Sequence, residues 1–141
     1  MATKKTILIV DDEPWYVQPL KDKLESAGYQ VRMADTGGAA IRLLESKEIR
    51  VDLAIVDIMM DPGDMQGGHE DGRRTGVLLC EYVRNTMKKD AKSLPLICLT
   101  VVNASEVRSR ARELDVQFFS KADTAMAEIL DRVNALLPCP S

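Results

Sequence analysis

Five short apolar runs, each followed by a stretch with helical spacing, constrain this chain more than any other feature. The runs are KTILIV (5–10), YQVRMA (29–34), VDLAIVD (51–57), LPLICLT (94–100) and VQFF (116–119). The first, third and fourth are apolar almost throughout, as strands covered on both faces are, and that is the habit of parallel sheets with crossover helices. The second alternates like an edge strand. After Pro14, which suits a first helical turn, Val17, Leu20, Leu24 and Ala27 share a face, and Gly28 suits the stop. Thr36 is placed to cap a second helix with Ala40, Ile41 and Leu44 inward. Leu79, Val83 and Met87 predict a third helix from about Thr75 to Lys88. Asn103 with Glu106 three residues on predicts the start of a fourth, lined by Val107, Ala111 and Leu114. A last helix from about Thr124 to Leu137 turns Met126, Ile129, Leu130, Val133 and Leu137 inward, and Pro138 and Pro140 stop it. Right-handed crossovers then predict an α/β, (βα)5 doubly wound parallel five-stranded sheet.

The 141 residues suffice for one domain, 1–141 with its core at about 5–137, and no output domain is expected beyond Leu137. A net charge of −3 gives no footprint for nucleic acid or an anionic membrane surface. The apolar runs are far too short to span a bilayer. The N-terminus lacks a signal peptide's apolar region and cleavage site, so a cytoplasmic location is expected. Cys80, Cys98 and Cys139 form no CxxC pair and read as core thiols in a reducing compartment. The sequon Asn103-Ala104-Ser105 reads as chance.

The acids are where chemistry enters. In an open parallel sheet, ligands bind beyond the carboxyl ends of the strands. There the first strand delivers Asp11 and Asp12, the third Asp57 and the fourth Thr100. The fifth is followed by Ser120 and Lys121. Three carboxylates in one cleft carry about −3, offset by one lysine, a balance that favours uptake of a cation. Oxygen ligands with room for water select Mg²⁺, with Mn²⁺ as a substitute. A metal beside a carboxylate, a lysine and a hydroxyl points to phosphoryl transfer. Asp57 is then the nucleophile, and Lys121 and Thr100 stabilise the phosphoryl oxygens.

IVDDE at the first strand, IVDIMM at the third, LT at the fourth and FFSKAD at the fifth together resemble the receiver domain of bacterial response regulators, over essentially the whole chain. The resemblance implies a flavodoxin-like sheet of order 2-1-3-4-5. It implies Asp57 as phospho-acceptor and Asp11 and Asp12 as the acidic pair holding Mg²⁺, Asp12 more directly. The Met59 carbonyl would complete the metal ligands, and Thr100 and Lys121 would be the switch hydroxyl and phosphate-binding lysine. Phe118 falls at the aromatic switch position. The phosphate donor would be a sensor histidine kinase or a histidine phosphotransfer protein. A downstream protein target would dock on the fourth helix, fifth strand and fifth helix, including Arg108, Arg110, Arg112 and Phe118. On this reading the chain is a phospho-acceptor of a two-component system or phosphorelay and not an enzyme acting on other substrates.

Three departures stand out. Ala122 replaces the family's proline, so either the Lys121–Ala122 bond is trans with a differently aimed lysine, or the fold absorbs a cis bond. Val101 stands where the family prefers a small residue and is expected to narrow access to Asp57. The loop across 58–75 is long, as functional or disordered loops are. Within it Gly67 and Gly72 nearly match a phosphate loop, but Arg73 and Arg74 replace the required lysine and hydroxyl. His69, Asp61, Asp64, Arg73 and Arg74 read as solvated loop residues. Two alternatives are a degenerate receiver that only binds partners, and an aspartate-nucleophile phosphatase of the haloacid-dehalogenase type. Met59 and Glu13 occupy the places where the latter needs a second aspartate.

Overall fold

The computed structural model describes residues 4–65, 74–101 and 105–137. Helix-start Asn103, the loop residues Gly67, His69, Gly72 and Arg73, the stop prolines Pro138 and Pro140, and Cys139 lie outside them. The elements alternate: β1 (Thr6–Val10), α1 (Pro14–Ser26), β2 (Gln30–Ala34), α2 (Gly37–Glu45), β3 (Leu53–Val56), α3 (Thr75–Glu81), β4 (Leu96–Thr100), α4 (Ser105–Glu113), β5 (Gln117–Ser120) and α5 (Met126–Leu136). The strands form one sheet of order β2-β1-β3-β4-β5, parallel throughout.

The period-2 alternation of a strand splits the apolar runs between two cores. Ile7, Ile9, Leu53, Ile55, Ile97 and Leu99 face α1 and α5, where Val17, Leu20, Leu24, Ile129 and Val133 meet them. Leu8, Val10, Ala54, Val56, Leu96 and Cys98 face the other way, onto Ala40, Leu44, Val77, Val83 and Ala111 of α2, α3 with its extension, and α4. Covering both faces explains why β1, β3 and β4 carry no polar alternation. Among the described residues no helix is long and apolar enough to cross a membrane.

Local signals mostly act as read. Pro14 opens α1, and the Thr36 hydroxyl accepts the Ala39 amide. Gly28 takes φ 102°, the left-handed turn that ends α1. Ala27, expected inward, is exposed, because α1 closes at Ser26 and leaves it at the cap. The third helix also departs from expectation. Its α-helical part ends at Glu81 and continues as a π-helical turn over Tyr82–Thr86. From that turn the Arg84 guanidinium donates to the carbonyls of Leu114 and Leu94 at 2.7 Å, and of Lys89 and Asp115 at 3.1 Å. Asp115 itself sits at φ 57°, just after α4.

Cys80 and Cys98 are buried free thiols, as expected of core cysteines, with their sulfurs 3.9 Å apart. Asp61 accepts the Gly63 amide at 2.9 Å. Asp64 is not simply solvated: it forms an exposed ion pair with Arg42 at 2.8 Å. Through the Gly37 and Gly38 amides, which donate to the carbonyls of Asp61 and Pro62, the start of the long loop docks on the N-terminus of α2.

Candidate functional site

Parallel pairing of β1, β3 and β4 brings their carboxyl ends side by side. The Asp57 amide donates to the Val10 carbonyl at 2.8 Å, and the Lys121 amide to the Thr100 carbonyl at 2.9 Å. Four residues from distant parts of the chain thereby meet. Asp57 is 2% exposed, Asp11 8%, Thr100 0% and Lys121 7%. Asp12 is exposed.

Lys121 is the hub. Its Nζ lies 2.7 Å from Asp11 Oδ2, 2.9 Å from Glu13 Oε1 and 3.2 Å from Asp57 Oδ2. The ammonium also stands over the Tyr16 ring, 4.8 Å from its centre. The Lys121–Ala122 bond is trans, and the lysine reaches all three acids. Met59 donates its amide to Asp57 Oδ1 at 3.3 Å, which sets its peptide beside that carboxylate. Thr100 hydrogen-bonds to the Asp57 side chain.

Burial drives the electrostatics. It pushes the Asp57 carboxyl up from 3.8 to about 6, against the pull of Lys121 and with the help of Asp11. Burial also raises Asp11, opposed by its bond to Lys121. For Lys121 burial works downward, but its bonds to Asp11 and Glu13 and the charge of Asp57 outweigh it and the ammonium is held above its usual value. Tyr16 is pushed up to about 12, chiefly by burial, and its hydroxyl is buried without a hydrogen-bond partner among the described residues.

Asp11, Asp12, Glu13 and Asp57 can each offer a carboxylate oxygen within 4.8 Å of the others. Four carboxylates against one ammonium leave about −3 in a small volume, a donor set of hard oxygens without nitrogen or sulfur that fits Mg²⁺ or Mn²⁺. Asp11, Asp12, Asp57, Thr100 and Lys121 are the residues expected at this edge, and Glu13 joins them without having been expected there. Its signal lay in the acid triplet itself: Pro14 starts α1 at once, leaving Glu13 at the cap, from where it reaches Lys121. Tyr16 had no signal beyond helical spacing.

The rim is apolar. Trp15 is 65% exposed and Val101 59%, so Val101 stands outward beside the cleft. The Trp15 indole donates to Glu13 Oε2 at 3.0 Å. On the flank, Phe118 and Phe119 are both half-buried, each on its own side of β5. Neither is fully exposed or fully buried, because β5 is an edge strand. Arg108 stacks over Phe118 at 5.4 Å. With Arg112, Asp115 and Ser120 they line a groove of about 430 Å³. Arg110 does not join them; it pairs with Glu81 at 2.6 Å and Glu113 at 2.9 Å.

Comparison with known proteins agrees with this fold. The family model for the response regulator receiver domain matches residues 7–134. The heme response regulator HssR of Staphylococcus aureus strain JH9 is 32% identical over 130 residues, covering 92% of this chain and 50% of that protein. The chain thus spans about half the length of the curated relatives it matches. Among solved structures, the non-phosphorylated HemR receiver domain from Leptospira biflexa superposes with a TM-score of 0.74 at 25% identity, covering 98% of each chain. A CheY-like receiver domain protein from Methanospirillum hungatei JF-1 gives 0.74 at 22% identity, covering 94% of this chain and 93% of that one, a likeness of fold. Sheet order, acid cleft and family match converge, and the chain belongs to the response regulator receiver domain family.

Proposed function

We propose that this chain is a phosphorylatable receiver module of two-component signalling, working in the cytoplasm, in which Asp57 accepts a phosphoryl group. The observation that carries the reading is the 3.2 Å contact between Lys121 Nζ and Asp57 Oδ2 inside a cluster of acids. An Asp57 oxygen attacks the phosphorus of a phosphohistidine on a sensor histidine kinase or histidine phosphotransfer protein. The P–N bond breaks, its electron pair leaves with the imidazole, which takes up a proton, and an aspartyl phosphate forms. Lys121 and the Thr100 hydroxyl donate to the phosphoryl oxygens.

Receiver domains bind Mg²⁺ in an acidic pocket. Here Asp11, Asp12, Asp57 and the Met59 carbonyl would hold it. When bound, the ion neutralises the carboxylates and places positive charge against the phosphoryl oxygens. Asp57 is held ready by its bonds to Met59, Thr100 and Lys121. The output is a change in protein binding at α4, β5 and α5, where Arg108, Arg112 and Phe118 lie on the surface groove.

Acetyl phosphate with Mg²⁺ should label the wild type and leave Asp57→Asn unlabelled, read by phosphate-affinity electrophoresis. Trp15 emission should respond to beryllofluoride only when Mg²⁺ is present. Absence of both in the wild type would leave the module as a partner-binding receiver without phosphorylation.

A further inference from the structure

The receiver motif uses Asp11, Asp12, Asp57, Thr100 and Lys121, and leaves Glu13 without a part. Yet Glu13 holds the hub. Its Oε1 accepts from Lys121 Nζ at 2.9 Å while its Oε2 accepts from the Trp15 indole at 3.0 Å. An ammonium has three N–H donors. Those of Lys121 are matched by Asp11, Glu13 and Asp57, with Asp57 the most distant. Any new acceptor on Asp57 must therefore draw a donor away from one of the three.

Exposure decides which partner yields. The Asp11 and Asp57 side chains are 5% and 2% exposed, and that of Glu13 is 31%. Asp57 loses its carboxylate charge on taking the phosphoryl group and can pass its donor on; for a second donor the choice is Asp11 or Glu13, and Asp11, the more buried, is left charged and dry without the ammonium, which is costly. Glu13 can turn to water and be resolvated at little expense. The Tyr16 ring beneath the ammonium offers it a charge-tolerant surface as it shifts.

Resting on the phospho-acceptor reading of Asp57, we infer that Glu13 is a positioning residue that competes with the phosphoryl group for Lys121. It shares the buried ammonium with Asp11 and Asp57 while Asp57 is free, and gives up its share when Asp57 carries phosphorus. Trp15, bonded to the same carboxylate, registers the exchange.

The test compares wild type with Glu13→Gln, using calorimetric titration first with Mg²⁺ and then with beryllofluoride at saturating Mg²⁺. Losing a carboxylate beside the cation should weaken Mg²⁺ binding, and freeing Lys121 should tighten beryllofluoride binding by about three- to tenfold. A general loosening of the site would weaken both, so affinities that fall together overturn the inference, as does a beryllofluoride affinity unchanged in the variant. A second readout is Trp15 emission. In the wild type it should shift on beryllofluoride addition, and in Glu13→Gln before addition it should already resemble the bound wild type. Wild type that binds no beryllofluoride overturns the phospho-acceptor reading itself, a result distinct from failure of the variant alone.

Discussion

Gly76 lies against the backbone of Asp57. A Cβ at Gly76 would stand 2.2 Å from the Asp57 carbonyl oxygen, and the Gly76 amide donates to the Ile58 carbonyl at 3.0 Å. The first turn of α3 thus sets the main chain of the acceptor, and no side chain fits between. Gly76→Ala should force β3 and α3 apart, costing about 1–3 kcal/mol in urea unfolding. It should also slow acetyl phosphate labelling, because the displaced backbone carries Asp57 with it.

Asp57 makes metal-free stability depend on pH. Its folded value, about 6, is above the ordinary 3.8. Its favourable contribution is therefore complete below the ordinary value and is lost as pH rises through about 6. Asp57→Asn should be more stable than wild type at pH 7 without divalent ions by about 1–3 kcal/mol. The advantage should shrink as pH falls toward 4, by thermal melts in buffers matched for ionic strength. Magnesium should narrow the gap at pH 7 by stabilising the wild type.

Lys121 is the internal cation of the site. Its raised folded value means that its stabilisation is complete below its ordinary value near 10.5 and is lost only as pH rises through the folded one. At pH 7 it is fully present. Lys121→Met should cost about 3–5 kcal/mol, since carboxylates are left buried without compensation. Millimolar Mg²⁺ should restore a larger part of the melting temperature in this variant than it adds to wild type.

Tyr16 combines a useful ring with an idle hydroxyl. The ring lies under Lys121 and the hydroxyl is buried without a partner among the described residues. Tyr16→Phe keeps the ring and removes the unpaired group, so it should be neutral or stabilising by up to about 1 kcal/mol. Tyr16→Leu, which removes the aromatic face as well, should be less stable than Tyr16→Phe in the same denaturation experiment.

The sheet was legible because its signal is local: a continuous apolar run such as Ile7–Val10 states its own burial. Asp11, Asp57 and Thr100 were legible because parallel pairing brings every strand's carboxyl end to one edge. Glu13 was not, since its bond to Lys121 spans 108 positions and depends on how α1 leaves the sheet. The π turn at Tyr82–Thr86 preserves Val83 as an inward residue, so helical spacing alone does not reveal it. Arg110 looked like its neighbours Arg108 and Arg112, and only the packing of α4 beside α3 turns it toward Glu81. Phe118 and Phe119 alternate as a strand requires, but the open edge of β5 leaves both partly wet.

Arg84 gives the molecule a mechanical asymmetry. By gripping Leu114 and Asp115 together with Leu94 and Lys89, it clamps the trailing end of α4 to the pole farthest from the acids. The leading end, at Ser105, follows directly on the segment beyond Thr100. With Arg110 also tied to Glu81 of α3, the anchors of α4 are gathered in its second half, so its hold on the rest of the fold is firmest away from Ser105.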